Sequence, residues 1–94
     1  MRESEIEKKV CKYAEERGFH HYKFVCTSRR GVPDRLITGP GGVFFFIEFK
    51  QAGKTPRPDQ VREINRLKRH VISVYIVDNV EYGMEIIDHY VKQR

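Results

Sequence analysis

The chain has 94 residues, with 18 Lys+Arg against 13 Asp+Glu, a net charge of +5, and 39% hydrophobic residues. A chain of this size buries a little over ~60% of its unfolded surface, which supports one core and excludes a second independent one, so residues 1–94 are expected to form a single domain. No apolar run approaches the ~18 residues that cross a bilayer, and the charged start Met1-Arg2-Glu3-Ser4-Glu5-Ile6-Glu7 has no apolar stretch of a secretory signal, so an intracellular, non-membrane protein is expected.

Ile6, Val10, Tyr13 and Ala14 recur at helical spacing, which predicts a first helix from Glu3 to Arg17 closed by Gly18. Phe19 to Thr27 is rich in strand formers, with Tyr22, Phe24 and Cys26 on one face. Ser28 to Pro33 then reads as a loop. Asp34–Thr38 and Val43–Lys50 flank the turn cluster Gly39-Pro40-Gly41-Gly42 and predict a hairpin. The second of these strands is apolar on both faces, so it is expected to be central and covered on both sides. After a loop from Gln51, Val61, Ile64, Leu67 and Val71 mark a second helix over Pro58–His70. Ile72–Val77 reads as a strand, and Asp78 or Asn79 can cap a last helix carrying Met84, Ile87 and Val91. The order α-β-β-β-α-β-α predicts an α/β domain with helices around a mixed sheet. Cys11 and Cys26 lack the spacing of a zinc site or a disulfide framework and are expected as reduced thiols in or near the core.

The end of the central strand interrupts an apolar run with Glu48-Phe49-Lys50, and period-two geometry puts Glu48 and Lys50 on one face. If Gly39–Gly42 closes the hairpin, facing residues have numbers that sum to about 82, so Asp34 lies opposite Glu48 to within one residue of register, with Cβ atoms about 4.5–5.5 Å apart. Two like charges there repel, and a divalent cation between them is the economical remedy. Hard oxygen ligands favour Mg²⁺ or Mn²⁺, and the Phe49 backbone carbonyl can add an oxygen. Lys50 stands where it could orient an attacking water and stabilise charge on a phosphate. Gly53-Lys54-Thr55 lacks the upstream glycine of a P-loop, since Glu48 occupies that position, so no nucleotide cofactor is expected.

Gly31-Val32-Pro33-Asp34-Arg35, then Glu48-Phe49-Lys50, then Gln60 on a helix resemble the PD-(D/E)XK nuclease superfamily, and within it the stand-alone form of the virus-type replication-repair nuclease (VRR-NUC) family. The resemblance runs from about Glu3 through Val77. It implies an α-β-β-β-α-β core and Mg²⁺- or Mn²⁺-dependent cleavage of DNA, with Asp34 and Glu48 as metal-binding acids and Lys50 as the catalytic lysine. Gln60 matches the glutamine that opens the helix after the catalytic strand, and a plain hydrogen bond at the helix N-terminus is the equal alternative. For the first-helix acid, through water if it reaches the metal, the resemblance selects Glu7, with Glu3 and Glu5 left open. It also implies a homodimer acting on branched DNA, a four-way junction above others.

Arg29, Arg30, Arg35, Lys54 and Arg57 crowd the loops next to Asp34 and Lys50 and are the expected DNA contacts. Arg62, Arg66 and Arg69 read individually as a solvated helix face. The rival expectation is a non-catalytic nucleic-acid-binding module of the same fold.

Overall fold

A computed structural model describes residues 1–93. It contains α1 (Glu3–Glu16), β1 (His20–Lys23), β2 (Arg35–Gly39), β3 (Val43–Phe49), α2 (Pro58–Arg69), β4 (Val74–Val77) and α3 (Val80–Val91), with a 3₁₀ turn at Pro40–Gly42 between β2 and β3. The sheet order is β1-β2-β3-β4, antiparallel except for the parallel pair β3 and β4. That mixture follows from the connections: a short turn can only reverse the chain, whereas α2 carries it back over the sheet to a parallel neighbour. Among the described residues no helix is long and apolar enough to cross a membrane.

Alternation along β3 divides the molecule into two cores. Phe45, Ile47 and Phe49 point to the side covered by α1 and α3, where they meet Ile6, Val10, Val77 and Ile87. On the other side Phe46 packs with Ile64 of α2 and Val74 of β4, with Phe24, Leu36 and Leu67 around them. Each such side chain contributes roughly 1.5–3 kcal/mol when fully buried, so the two faces together fix the direction of β3. α1 and α3 cross closely at Gly83, where an added Cβ would collide with Val10 Cγ2.

α1 and α2 stop through the same device. Gly18 (φ 85) follows α1, with Gly18 N–H donating to the Glu15 carbonyl at 3.1 Å and Phe19 N–H to the Ala14 carbonyl at 3.0 Å. α2 repeats these bonds through Val71 N–H to Lys68 and Ile72 N–H to Leu67, both 3.0 Å, but its left-handed residue is Val71 at φ 62. This turn throws Val71 into solvent, 92% exposed, although helical spacing places it with the core. Val61 is exposed as well, because the buried stripe of α2 runs through Gln60, Glu63 and Ile64. Phe44 is 52% exposed, so α2 covers β3 at Phe46 but not toward the turn. β1 ends at Lys23, earlier than strand-forming composition suggests. Tyr22 is exposed, while Phe24 leaves the strand to pack edge-on against Phe46, centroids 5.0 Å apart. The thiols of Cys11 and Cys26 are both free; Cys11 is buried and Cys26 half-buried.

Candidate active site

The ladder between β2 and β3 ends at Arg35↔Ile47, so the next step of the same register sets Asp34 across from Glu48, as the turn arithmetic predicts. Here the antiparallel hydrogen bonds stop, and Asp34 takes over as partner: its Oδ2 accepts the backbone N–H of Phe49 at 2.8 Å. Its backbone carbonyl accepts Phe24 N–H at 2.9 Å. Burial raises the Asp34 pKa above its ordinary value, the Phe49 N–H opposes that, and the charge of Glu7 adds to it.

Glu48 is 1% exposed and Lys50 9%, both on the α2 side of the sheet. A strand end of this kind normally meets solvent; here the first turn of α2 closes over it. Pro58 occupies the start of α2, which puts Gln60 at the third helical position, where a side chain can reach back to the N-cap. Gln60 Oε1 accepts Arg57 N–H at 2.9 Å and Lys50 Nζ at 2.7 Å, and its Nε2 donates to Glu48 Oε2 at 2.8 Å. Lys50 Nζ lies 3.3 Å from the same Glu48 oxygen. One buried amide therefore caps the helix and at the same time holds the lysine and glutamate of the strand.

Glu48 Oε1 is buried and has no hydrogen-bond partner among the described residues. An ionised carboxylate is poorly tolerated in such a place. Burial first, and then the charge of Asp34, push the Glu48 pKa up to about 7, against the pull of Lys50.

The loop before Asp34 braces this arrangement. Gly31 adopts φ +81, and a Cβ there would lie 2.5 Å from the Asp59 carbonyl oxygen and 2.9 Å from Gln60 N. Only glycine lets the loop lie flush on the turn that presents Gln60. Pro33, fully buried, fixes the approach to Asp34.

Two glutamates of α1 face this centre in different ways. Glu7 Oε2 accepts Arg35 Nε at 2.6 Å, and Arg35 also donates to His21 Nδ1 at 3.2 Å, while His21 Nε2 meets Glu15. Glu7 thus reaches Asp34 only through its charge. Glu3, one turn earlier, makes no hydrogen bond or ion pair among the described residues. Its pKa is raised by partial burial and by Asp34, while Lys50 and Arg57 pull the other way. Glu5 accepts the Arg2 backbone N–H at 3.4 Å.

The basic residues divide similarly. Arg35 is turned toward α1 and committed to Glu7, because odd positions of β2 face α1; the sequence counts its charge but not its direction. Arg57 pairs with Asp59 at 3.2 Å and Arg29 lies 3.8 Å from Glu63. Arg30 and Lys54 are exposed. Glu63, 7% exposed, escapes sequence reading altogether; its signal is its place three residues after Gln60 on the buried stripe and three before Arg66.

No protein-family model matches the chain. Over 79 residues it is 42% identical to the protein named "Putative nuclease p44" of Acyrthosiphon pisum secondary endosymbiont phage 1, covering 84% of this chain and 85% of that one. A solved structure described as a VRR_NUC domain matches with a TM-score of 0.86 at 30% identity, covering 94% of this chain and 96% of the other. The chain belongs to the VRR-NUC family.

This VRR-NUC centre suits a hard divalent cation. Among the described residues no three His, Cys, Asp or Glu side chains cluster closely enough to hold a metal alone. Asp34 and Glu48 nevertheless share one register step, and Glu48 keeps an unpartnered oxygen. Two carboxylates completed by water and substrate phosphate are the usual environment of Mg²⁺, which sheds its hydration reluctantly.

Proposed function

We propose that this VRR-NUC domain is a Mg²⁺- or Mn²⁺-dependent endonuclease that hydrolyses phosphodiester bonds in branched DNA, four-way junctions above others. The observation that carries the reading is Glu48, a buried carboxylate with one oxygen held by Lys50 and Gln60 and the other unpartnered, across the register from Asp34. The nuclease in the phage relative's name supports the same reading.

Asp34 and Glu48 would hold the cation, with the Phe49 carbonyl as a further oxygen donor and a first-helix acid, Glu7 or its neighbour Glu3, acting through water. Bound there, the cation supplies Lewis-acid stabilisation of phosphoryl charge and eases deprotonation of an attacking water. The protein's own contribution is preorganisation. Phe49 N–H fixes one oxygen of Asp34 and leaves Oδ1 outside that bond. Gln60 and Glu48 hold Lys50 Nζ beside the two acids, where its charge opposes the negative charge that builds on the scissile phosphate and where it can orient the attacking water. Arg30 and Lys54, on loops that flank the strand, would contact neighbouring phosphates without reading sequence. A homodimer would set two such centres on opposed strands of a two-fold junction.

The test is incubation of the purified protein with a labelled four-way junction, a flap and a linear duplex, each with Mg²⁺, Mn²⁺ or EDTA. The expected result is cleavage of the junction that EDTA abolishes. Retention of junctions in a gel shift with no cleavage under any metal would instead establish a DNA-binding module without activity.

A further inference from the structure

A second basic feature lies beside the centre. A cleft of about 230 Å³ between the loop bearing Arg29 and Arg30 and the outer face of α2 is lined by Arg29, Arg30, Asp59, Arg62, Glu63 and Arg66. Positions 59, 62, 63 and 66 follow the i, i+3, i+4, i+7 spacing of one helical stripe, and the close approach of Gly31 to Asp59 brings the loop against that stripe.

The charges are not balanced. Asp59 is taken by Arg57 at 3.2 Å, and the buried Glu63 holds Arg66 Nε at 3.4 Å and Arg29 at 3.8 Å. Arg30 and Arg62 then remain exposed, with no ion pair or hydrogen bond among the described residues. The cleft also stands close to the chemistry, because Gly31, next to Arg30, lies against the backbone of Asp59 and Gln60, and Gln60 holds Lys50. A strand held over Lys50 and Asp34 carries further phosphates on either side of the scissile one, and those beside it are the ones an adjoining basic cleft can meet. Planar guanidinium groups suit phosphate oxygens better than a point charge would.

We infer that this cleft is a seat for a DNA-backbone phosphate adjoining the scissile one, with Arg30 and Arg62 as its ligands and Glu63 holding Arg29 and Arg66 in place beside them. The inference rests on the nuclease reading above and adds to it the surface that fixes where the strand leaves the active centre. Arg62 and Arg66 thereby become part of a site instead of a solvated helix face.

The experiment measures binding of a labelled four-way junction by fluorescence anisotropy across a salt series. Asp34→Asn serves as the uncut background, and thermal unfolding shows that every variant is folded. Arg30→Ala/Arg62→Ala is compared with Lys68→Ala/Lys92→Ala, which removes the same charge elsewhere. The arginine pair is expected to weaken binding about ten-fold and to flatten the dependence of log affinity on log salt by about 0.9 for each phosphate that is no longer neutralised, with the lysine pair near the parent. Equal losses in both pairs, or an unchanged salt slope in the arginine pair, would overturn the seat while wild-type cleavage left the nuclease reading standing. If wild type neither binds nor cuts DNA, the nuclease reading fails and the seat falls with it.

Discussion

At the scale of single residues, Glu48 sets a pH dependence of the fold. Its pKa lies at about 7 in the fold, against 4.5 for an ordinary glutamate, so between those values the native state keeps a proton that the unfolded chain has released. Stability therefore falls as pH rises through that window. In metal-free protein, thermal or denaturant unfolding at several pH values should show this decline in wild type and a flatter profile in Glu48→Gln; parallel profiles would contradict it. Gln60 permits a second prediction, since it bonds the N-cap of α2, Lys50 and Glu48 at once. Gln60→Ala should cost about 1–3 kcal/mol by leaving those groups unpaired. It should also lower kcat about 10–100-fold with a smaller change in KM, as expected of a residue that holds catalytic groups in place. Unchanged unfolding and kinetics would show that the amide is dispensable. Hairpin arithmetic and strand alternation already set Asp34, Glu48 and Lys50 side by side in the sequence, and the family resemblance adds Gln60, whose bonds to Lys50 and Glu48 only the fold displays. The divergent fates of Glu3 and Glu7 were not, because both lie on the same side of one helix. What separates them is Arg35, whose direction depends on the face of β2 and not on its neighbours in sequence.

At the scale of elements, β3 supplies the site and α2 covers it. Hydrophobic periodicity located both, but it could not reveal how each ends. Val71 continues the helical spacing of Ile64 and Leu67, yet it occupies the left-handed turn that stops α2 and contacts solvent. A β-branched residue at φ 62 is strained by about 1–2 kcal/mol, and glycine adopts that conformation freely at some cost in chain entropy. Val71→Gly should therefore stabilise the domain by up to about 1 kcal/mol, a Tm rise of a few degrees at this size. A lower Tm would mean that the side chain has packing value its exposure hides. The same limitation explains Val61 and Phe44: apolar spacing identifies a possible buried stripe, but the extent of the covering element decides which of its members are buried.

At the scale of the whole molecule, the modest +5 charge has acquired a distribution. Part of it is engaged internally, since Arg35 serves Glu7 and Arg57 serves Asp59, while Arg30, Lys54 and Arg62 are exposed with no ion pair among the described residues. A sequence reports the total, and only the fold separates cations engaged with carboxylates from those open to a polyanion. Two cores, one on each face of a four-stranded sheet, bring Asp34, Glu48 and Lys50 together at the sheet's end, with α2 laid over them. The most direct measurement is single-turnover cleavage of a labelled four-way junction in Mg²⁺ by wild type and by Asp34→Asn, with DNA retention recorded for both by gel shift. The account predicts that wild type cuts and that Asp34→Asn retains the junction but loses cleavage by about 10³-fold or more, through loss of a metal-holding carboxylate; full activity in Asp34→Asn would contradict it.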